Sequence, residues 1–322
     1  MCHRTALANI YSLPAFNLYI ALSMLSPPPW LKSFITEEAL PATFESLTMD
    51  YCLPLAQSIV SWAQCHGDTP LVVGVNGAQG TGKSTLSKLL SLAIEHGHQL
   101  RCAIISIDDI YLTQQERADL AADVHPLLMT RGVPGTHDVS MGIELIEQLK
   151  NKKATQLPVF DKAIDDRAPA DQWVSVDAPV DIIIFEGWCI GAQAQPQQAL
   201  DKPCNRLEES EDKDASWRTY ANEQLAGPYA QLFDQIDRLI MLKAPDFECV
   251  YQWRSFQEEK LRQRTAEGSG RRSIMNDEQI RRFIMHYERL TRWMFKEMPK
   301  RADCLLELGH DHSIISKHTP DR

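Results

Sequence analysis

The stretch Leu71-Val-Val-Gly-Val-Asn-Gly77-Ala78-Gln79-Gly80-Thr81-Gly82-Lys83-Ser84-Thr85 decides how the rest of the chain is read. Its first half is a short, valine-rich apolar run between Pro70 and Gly77, with the length and branching of a buried strand. Its second half matches the spacing G-x-x-x-x-G-K-[ST]. Immediately afterwards Leu86, Leu89, Leu90, Ala93 and Ile94 recur at helical spacing. A glycine-rich turn between a strand and a helix can aim successive backbone N–H groups inward at a helix N-terminus, which makes a nest for an anion. Gly77 to Thr85 is therefore the candidate cradle for nucleotide phosphates. Lys83 would reach the β- and γ-phosphates, and Ser84 would offer its hydroxyl to Mg²⁺. Such a loop alone admits a GTPase, a motor, a transporter ATPase or a kinase. The chain has no N-K-x-D string to read guanine, which weighs against the first of these.

Working outward, apolar runs at 102–107, 180–185, 239–242 and 304–308 alternate with helical patterns at 53–66, 140–150, 216–236, 247–264 and 277–298. Continuous apolar strands alternating with helices predict an α/β fold: a five-stranded parallel sheet covered by helices on both faces. Ligands of such sheets bind at the carboxyl ends of the strands. Carboxylates stand at two of those ends. Ser106-Ile-Asp108-Asp109-Ile-Tyr111 follows the second strand, and Asp181-Ile-Ile-Ile-Phe-Glu186-Gly187-Trp188 closes the third. An acceptor hydroxyl needs an oriented base and Mg²⁺ needs oxygen ligands; the pair Asp108 and Asp109 can serve both needs, and Glu186 would hold Mg²⁺ directly or through water, or polarise the substrate. The competing reading for Asp108 and Asp109 is a helix N-cap.

Two loops rich in turn formers carry further polar groups. They are Arg131-Gly-Val-Pro-Gly-Thr136-His137-Asp138 and Pro158-Val-Phe-Asp161-Lys162-Ala-Ile-Asp165-Asp166-Arg167. Tyr111, Arg131, Thr136, His137, Lys162 and Arg167 are the substrate-binding candidates, against a plain reading as solvated turns with an N-cap at Asp138. Trp253-Arg254-Ser-Phe-Gln-Glu-Glu-Lys260-Leu-Arg262 is helical and basic, and Gly-Ser-Gly at 268–270 follows it. A mobile helix carrying Arg254 and Arg262 suits a lid over ATP at about 246–272, while i,i+4 pairs such as Glu258–Arg262 would fit a merely solvated face.

The net charge of −10 excludes a surface built to coat nucleic acid, which needs a basic stripe. The eight cysteines, at 2, 52, 65, 102, 189, 204, 249 and 304, have no spacing for a zinc or disulfide framework and read as reduced thiols of a cytoplasmic protein. The apolar residues at 14–25 are too few to span a bilayer, and Pro-Pro-Pro follows them at 27–29. Residues 1–48 are thus expected to be an ill-defined extension and 49–322 the folded domain, with a polar, acid-rich exposed insertion at about 193–214.

In this order, GAQGTGKST, SIDDIYLT, RGVPGTHD, PVFDKAIDDR, IIIFEGW and WRSFQEEKLR resemble D-glycerate 3-kinase of the plant and cyanobacterial type and its bacterial and yeast relatives. That group is similar in turn to uridine kinase, pantothenate kinase and phosphoribulokinase. The resemblance spans roughly residues 50–312 and implies the P-loop fold with a lid, ATP and Mg²⁺ as cofactors, and a small hydroxy acid as acceptor. It puts Asp108 where these kinases keep their base and Glu186 where they keep the acid of the second nucleotide motif. Other hydroxyl acceptors (a nucleoside, pantothenate or a sugar) stay open, as does a non-catalytic nucleotide-dependent binding factor.

Overall fold

Apolar runs without polar alternation are stable only when both faces are covered, and the sheet is built that way. The computed structural model of the chain describes residues 26–266 and 275–320, with side chains for all of these except 257–266. The order begins α1 (Pro29–Glu37), α2 (Phe44–Leu47), α3 (Leu53–His66), β1 (Leu71–Gly77), α4 (Lys83–His98), β2 (Cys102–Ser106), α5 (Gln114–Asp123) and α6 (Val139–Lys150). Short strands β3 (Thr155–Leu157), β4 (Phe160–Asp161), β5 (Asp166–Arg167) and β6 (Val174–Val176) lead to β7 (Ile182–Gly187). Then come α7 (Arg206–Glu211), α8 (Ser216–Ala226), α9 (Pro228–Phe233), β8 (Arg238–Lys243), α10 (Phe247–Ala266), α11 (Asp277–Glu297), β9 (Cys304–Leu308) and β10 (Ile314–His318).

The main sheet runs β10-β9-β8-β1-β7-β2. Its five expected strands pair in parallel, and β10 adds an antiparallel edge. The sequence reading did not include β10, whose Ile-Ile-Ser-Lys-His is polar and only half-buried. Strands β1 and β7 are buried at every position. Val73, Val75, Ile182 and Ile184 face a core shared with α3, α4 and the start of α10. Val72, Ile183 and Phe185 face the other, shared with α6, α9 and α11. Each fully buried aliphatic side chain contributes about 1.5–3 kcal/mol, so two such layers fix the strand ends that carry the polar groups.

Three expectations are revised. Residues 29–48 belong to the fold, because Leu31 and Phe34, one helical turn apart on α1, are buried in the first core. The apolar residues 14–25 lie outside the described ones. The helix expected over 216–236 is broken between α8 and α9 at Gly227-Pro228, since Pro228 has no N–H to continue α8 and instead starts α9. The 193–214 segment is not simply an exposed loop. Glu208 and Asp212 are buried and bonded to Arg289 at 2.5 Å and Arg218 at 2.8 Å, so these two acids are internal counter-ions, while Asp201, Glu209, Glu211 and Asp214 are exposed as expected. No helix among the described residues is long and apolar enough to cross a membrane.

Candidate active site

The loop between β1 and α4 has the geometry that phosphate binding requires. Gly80 and Gly82 hold φ of +83° and +86°, a region L side chains rarely adopt. The first intrahelical bond of α4 runs from Leu86 N–H to Gly82 O at 2.9 Å, so the amides of residues 83–85 precede it. Helix α4 has no side-chain cap and no acidic residue in its first turn. Its N-terminal donors and dipole are therefore left for an anion. Thr81 is buried, and its hydroxyl donates to Ala78 O at 2.8 Å, which stiffens the turn from inside.

Two aromatic residues that sequence reasoning did not assign to the site hold this loop from above. Trp253, on α10, lies so close that a Cβ on Gly80 would stand 2.7 Å from the Trp253 Cβ. His312, in the β9–β10 turn, stacks on Trp253 with ring centroids 4.2 Å apart and bonds Gly80 O through Nε2 at 2.9 Å. Gly80→Ala combines a left-handed backbone penalty of about 1–2 kcal/mol with that collision. It is expected to raise KM for ATP by roughly tenfold or more. Gly97→Ala, where an added Cβ meets nothing within 4 Å, serves as the control in the same steady-state assay.

At the neighbouring strand ends the carboxylates converge. Glu186 is paired across the sheet with Val75 on one side and Ser106 on the other. It is buried, and its Oε1 accepts the Ser84 hydroxyl at 2.7 Å while Oε2 has no partner. An unpartnered buried carboxylate oxygen beside the loop hydroxyl is a donor set that fits a hard divalent cation.

Asp108 and Asp109 sit in a 3-10 turn over Ile107–Ile110. The caps here are Ser106, which accepts Asp108 N–H, and Thr113, which forms a capping box with Glu116, so neither aspartate is spent as an N-cap. Asp108 Oδ1 accepts the Tyr111 hydroxyl at 2.5 Å, and Oδ2 accepts Lys162 Nζ at 2.6 Å. Burial alone would raise the Asp108 pKa. The charges of Lys162 and Lys83, with the bonds from Lys162 and Tyr111, overcome that and hold it well below the usual carboxylate range. Lys83 thus lies close enough for its field to act on Asp108, which joins the phosphate loop to the carboxylate electrostatically.

Asp109 has the opposite fate. Burial pushes its carboxyl up to about 6, against the Phe160 N–H that its Oδ1 accepts at 3.1 Å. A folded pKa above the unfolded value means stability that is present below about pH 4 and lost as pH rises through 6. Asp109→Asn keeps an acceptor for Phe160 and removes the charge. It is expected to raise stability by on the order of 2–3 kcal/mol at neutral pH, with the gain vanishing below about pH 4. Thermal unfolding at the two pH values checks both parts.

The loop at 131–138 is fastened along the 110–112 segment by Leu112 N–H to Thr136 O and Asp138 N–H to Ile110 O. Thr136 is fully buried, its oxygen accepting Gly132 N–H and its hydroxyl donating to Val133 O, so it shapes the loop and offers nothing to a substrate. His137 stacks on Tyr111 at 4.9 Å, and its Nδ1 meets the Tyr229 hydroxyl at 2.5 Å. That hydroxyl also accepts Gly135 N–H, so its own proton points to Nδ1 and the ring proton sits on Nε2, which has no partner. Burial pushes the His137 pKa down to about 4, against the field of Asp108, so the ring is neutral at physiological pH. The β4–β5 hairpin brings Lys162 to Asp108 and places Arg167 Nη2 on Tyr111 O at 3.0 Å. Arg131 pairs with Asp165, which also holds the buried Arg117 at 3.0 Å.

Asp108, Tyr111, His137, Lys162 and Arg167 are thus brought into one cluster, with Arg131 at its side. Arg254, on α10, lies over the Phe283 ring at 5.7 Å; burial and the charge of Asp108 raise the Tyr287 pKa, and the charges of Arg131 and Arg254 act against that rise. The side chain of Arg262 lies outside the described residues. Sequence reasoning missed the scaffold behind the cluster: Tyr229, Tyr287 (hydroxyl to Arg131 O, 2.8 Å) and Trp188 (Nε1 to Gly132 O, 2.7 Å). Only Trp188 left a signal, as the residue two places after Glu186.

No family model matches the chain. An uncharacterised kinase of Schizosaccharomyces pombe, mug58, is 30% identical over 233 residues, which cover 68% of this chain and 78% of that protein. The chloroplastic D-glycerate 3-kinase of Arabidopsis thaliana is 30% identical over 228 residues, 68% of this chain but only 46% of the plant protein. The structure of D-glycerate 3-kinase from Cryptococcus neoformans superposes with a TM-score of 0.68 at 28% identity, covering 83% of this chain and 97% of that one. With a complete phosphate loop and two carboxylates at adjoining strand ends, the chain belongs to this family of P-loop, ATP-dependent kinases that transfer phosphate to a hydroxyl group.

Proposed function

We propose that the chain is a D-glycerate 3-kinase, converting ATP and D-glycerate to ADP and 3-phosphoglycerate by in-line transfer in the cytoplasm. The observation that carries this reading is Asp108, held ionised between Tyr111 and Lys162 and within the field of Lys83. Its relatives in the plant and in Cryptococcus are named for the same activity. Lys83 and the amides of residues 83–85 hold the phosphate chain. Ser84 and Glu186 hold Mg²⁺, which when bound neutralises charge on the transferred phosphoryl oxygens. The acceptor hydroxyl enters beside Asp108, displacing Lys162 from one carboxylate oxygen, and Asp108 orients it and takes its proton. Lys162, Arg131 and Arg167 supply positive charge for a substrate carboxylate, and the Nε2–H of His137 supplies a neutral donor. Arg254 approaches from α10 as a second source of positive charge on closure.

Coupled ADP release measured over D-glycerate, L-glycerate, uridine, pantothenate and simple sugars tests the acceptor. Turnover is expected with D-glycerate above the others, with phosphate on the 3-hydroxyl. Preferred turnover of any other acceptor removes glycerate and leaves the kinase assignment intact.

A further inference from the structure

Outside the phosphoryl-transfer site, three side chains from two distant parts of the chain meet at the carboxyl edge of the sheet. Asp246 and Cys249 lie where β8 passes into α10, and His310 follows β9. Their ligand atoms all lie within 4.8 Å of one another, and Cys249 Sγ is 3.1 Å from His310 Nδ1. We propose that Asp246, Cys249 and His310 form a site for one thiophilic divalent cation of the zinc class.

The donor set argues for that class. A thiolate, an imidazole and a single carboxylate suit zinc, whereas magnesium and calcium want shells made of oxygen. With Zn–S near ~2.3 Å and Zn–N near ~2.0 Å, tetrahedral coordination places sulfur and nitrogen roughly 3.5 Å apart. The observed pair needs to open by only a few tenths of an ångström. Its supports are already set. Asp246 Oδ1 accepts Cys249 N–H at 2.9 Å, the Cys249 side chain also hydrogen-bonds the Asp246 carboxylate, and Asp246 forms no ion pair among the described residues. The carbonyl of His310 accepts Trp253 Nε1 at 3.0 Å, which fixes the backbone that carries the imidazole. Cys249 is buried while Asp246 and His310 are exposed, so an ion reaches the thiol from solvent and a water can complete the shell. Binding releases the thiol proton to solvent.

A second group, His125, Asp212 and Asp214, has similar spacing but different electrostatics. Asp212 is already neutralised by Arg218 and bonded by the amides of Trp217 and Arg218. That leaves the exposed Asp214, bonded by Ser216, and a His125 ring whose two nitrogens already meet Glu211 O and Leu127 N–H, so only one uncommitted ligand remains there. The Asp246 group also escaped sequence reasoning for a plain reason: its ligands come from two strand ends 61 residues apart, and no cysteine spacing announces it.

The test uses the full chain, stripped with a chelator, dialysed, and titrated with Co²⁺ in the absence of ATP and Mg²⁺. One equivalent is expected to give a near-ultraviolet thiolate-to-cobalt charge-transfer band and intense tetrahedral d–d bands, both bleached by Zn²⁺. The charge-transfer band is expected to vanish in Cys249→Ser. His310→Ala and Asp246→Asn leave the core thiol in place and are expected to weaken binding by tenfold or more, so they read the site even where Cys249→Ser destabilises the fold. Absence of the band in the wild-type protein overturns the proposal. So does a band that persists in Cys249→Ser, or affinity unchanged in both His310→Ala and Asp246→Asn.

Discussion

Asp108→Asn is expected to lower kcat by about 10²–10⁴-fold with ATP affinity near that of the wild type. The amide keeps the shape of the carboxylate and can still accept the Tyr111 hydroxyl through its oxygen. It cannot take a proton, and its NH₂ opposes Lys162 where Oδ2 now accepts from it at 2.6 Å. The nucleotide cradle is built from other residues, so binding measured by calorimetry should change little. A pH profile identifies which aspartate is the base. Asp108 is held far below the ordinary range, so kcat/KM should stay level as pH falls through 6. A limb near pH 6 that disappears in Asp109→Asn would instead assign the proton to Asp109, whose carboxyl burial raises to about 6. A low pKa makes Asp108 a weak base in the ground state. In a loose transition state the hydroxyl proton leaves late, and orientation by a fixed carboxylate is the larger contribution.

Glu186→Gln is expected to cost about 10²–10³-fold in kcat, with a marked rise in the Mg²⁺ concentration needed for half-maximal rate. The substitution preserves the acceptor for Ser84 and removes the charge at Oε2, which is buried without a partner. A carboxylate retained there for stability alone would show its loss in the melting temperature. The expected result is the reverse: a melting temperature at or above that of the wild type, because an isolated buried charge costs stability. Activity lost without stability lost is the signature of a ligand position.

The reading from sequence was sound where one short segment carries both the pattern and the chemistry. Leu71–Thr85 contains its own strand, turn and helix start, and four of the five parallel strands are built on a continuous apolar run, β9 alone being interrupted by Glu307. Reading failed where a role depends on a partner distant along the chain. Thr136 looked like a substrate ligand within its turn-rich loop, yet both its bonds close the loop on itself. Tyr229 stood in a run that read as one helix, and only the break at Gly227-Pro228 turns its hydroxyl toward His137, 92 residues away. Glu208 and Asp212 counted as solvated acids until α11 and α8 supplied Arg289 and Arg218. Leu31 and Phe34 were set aside with an uninformative N-terminal region, although their spacing already marked a buried helix face.

The bond from His312 to Gly80 O links residues 232 positions apart. A ribosome that has just released the phosphate loop has therefore not yet made the side chain that steadies it. The turn over residues 77–84 can form locally, but Trp253 and His312 reach it only after β8, α10, β9 and the turn beyond have emerged. The steadied form of the loop is then acquired only with the last parallel strand and the turn after it. By the time the loop is steadied, the acceptor loops and the strand-end carboxylates, all earlier in the chain, have already been made.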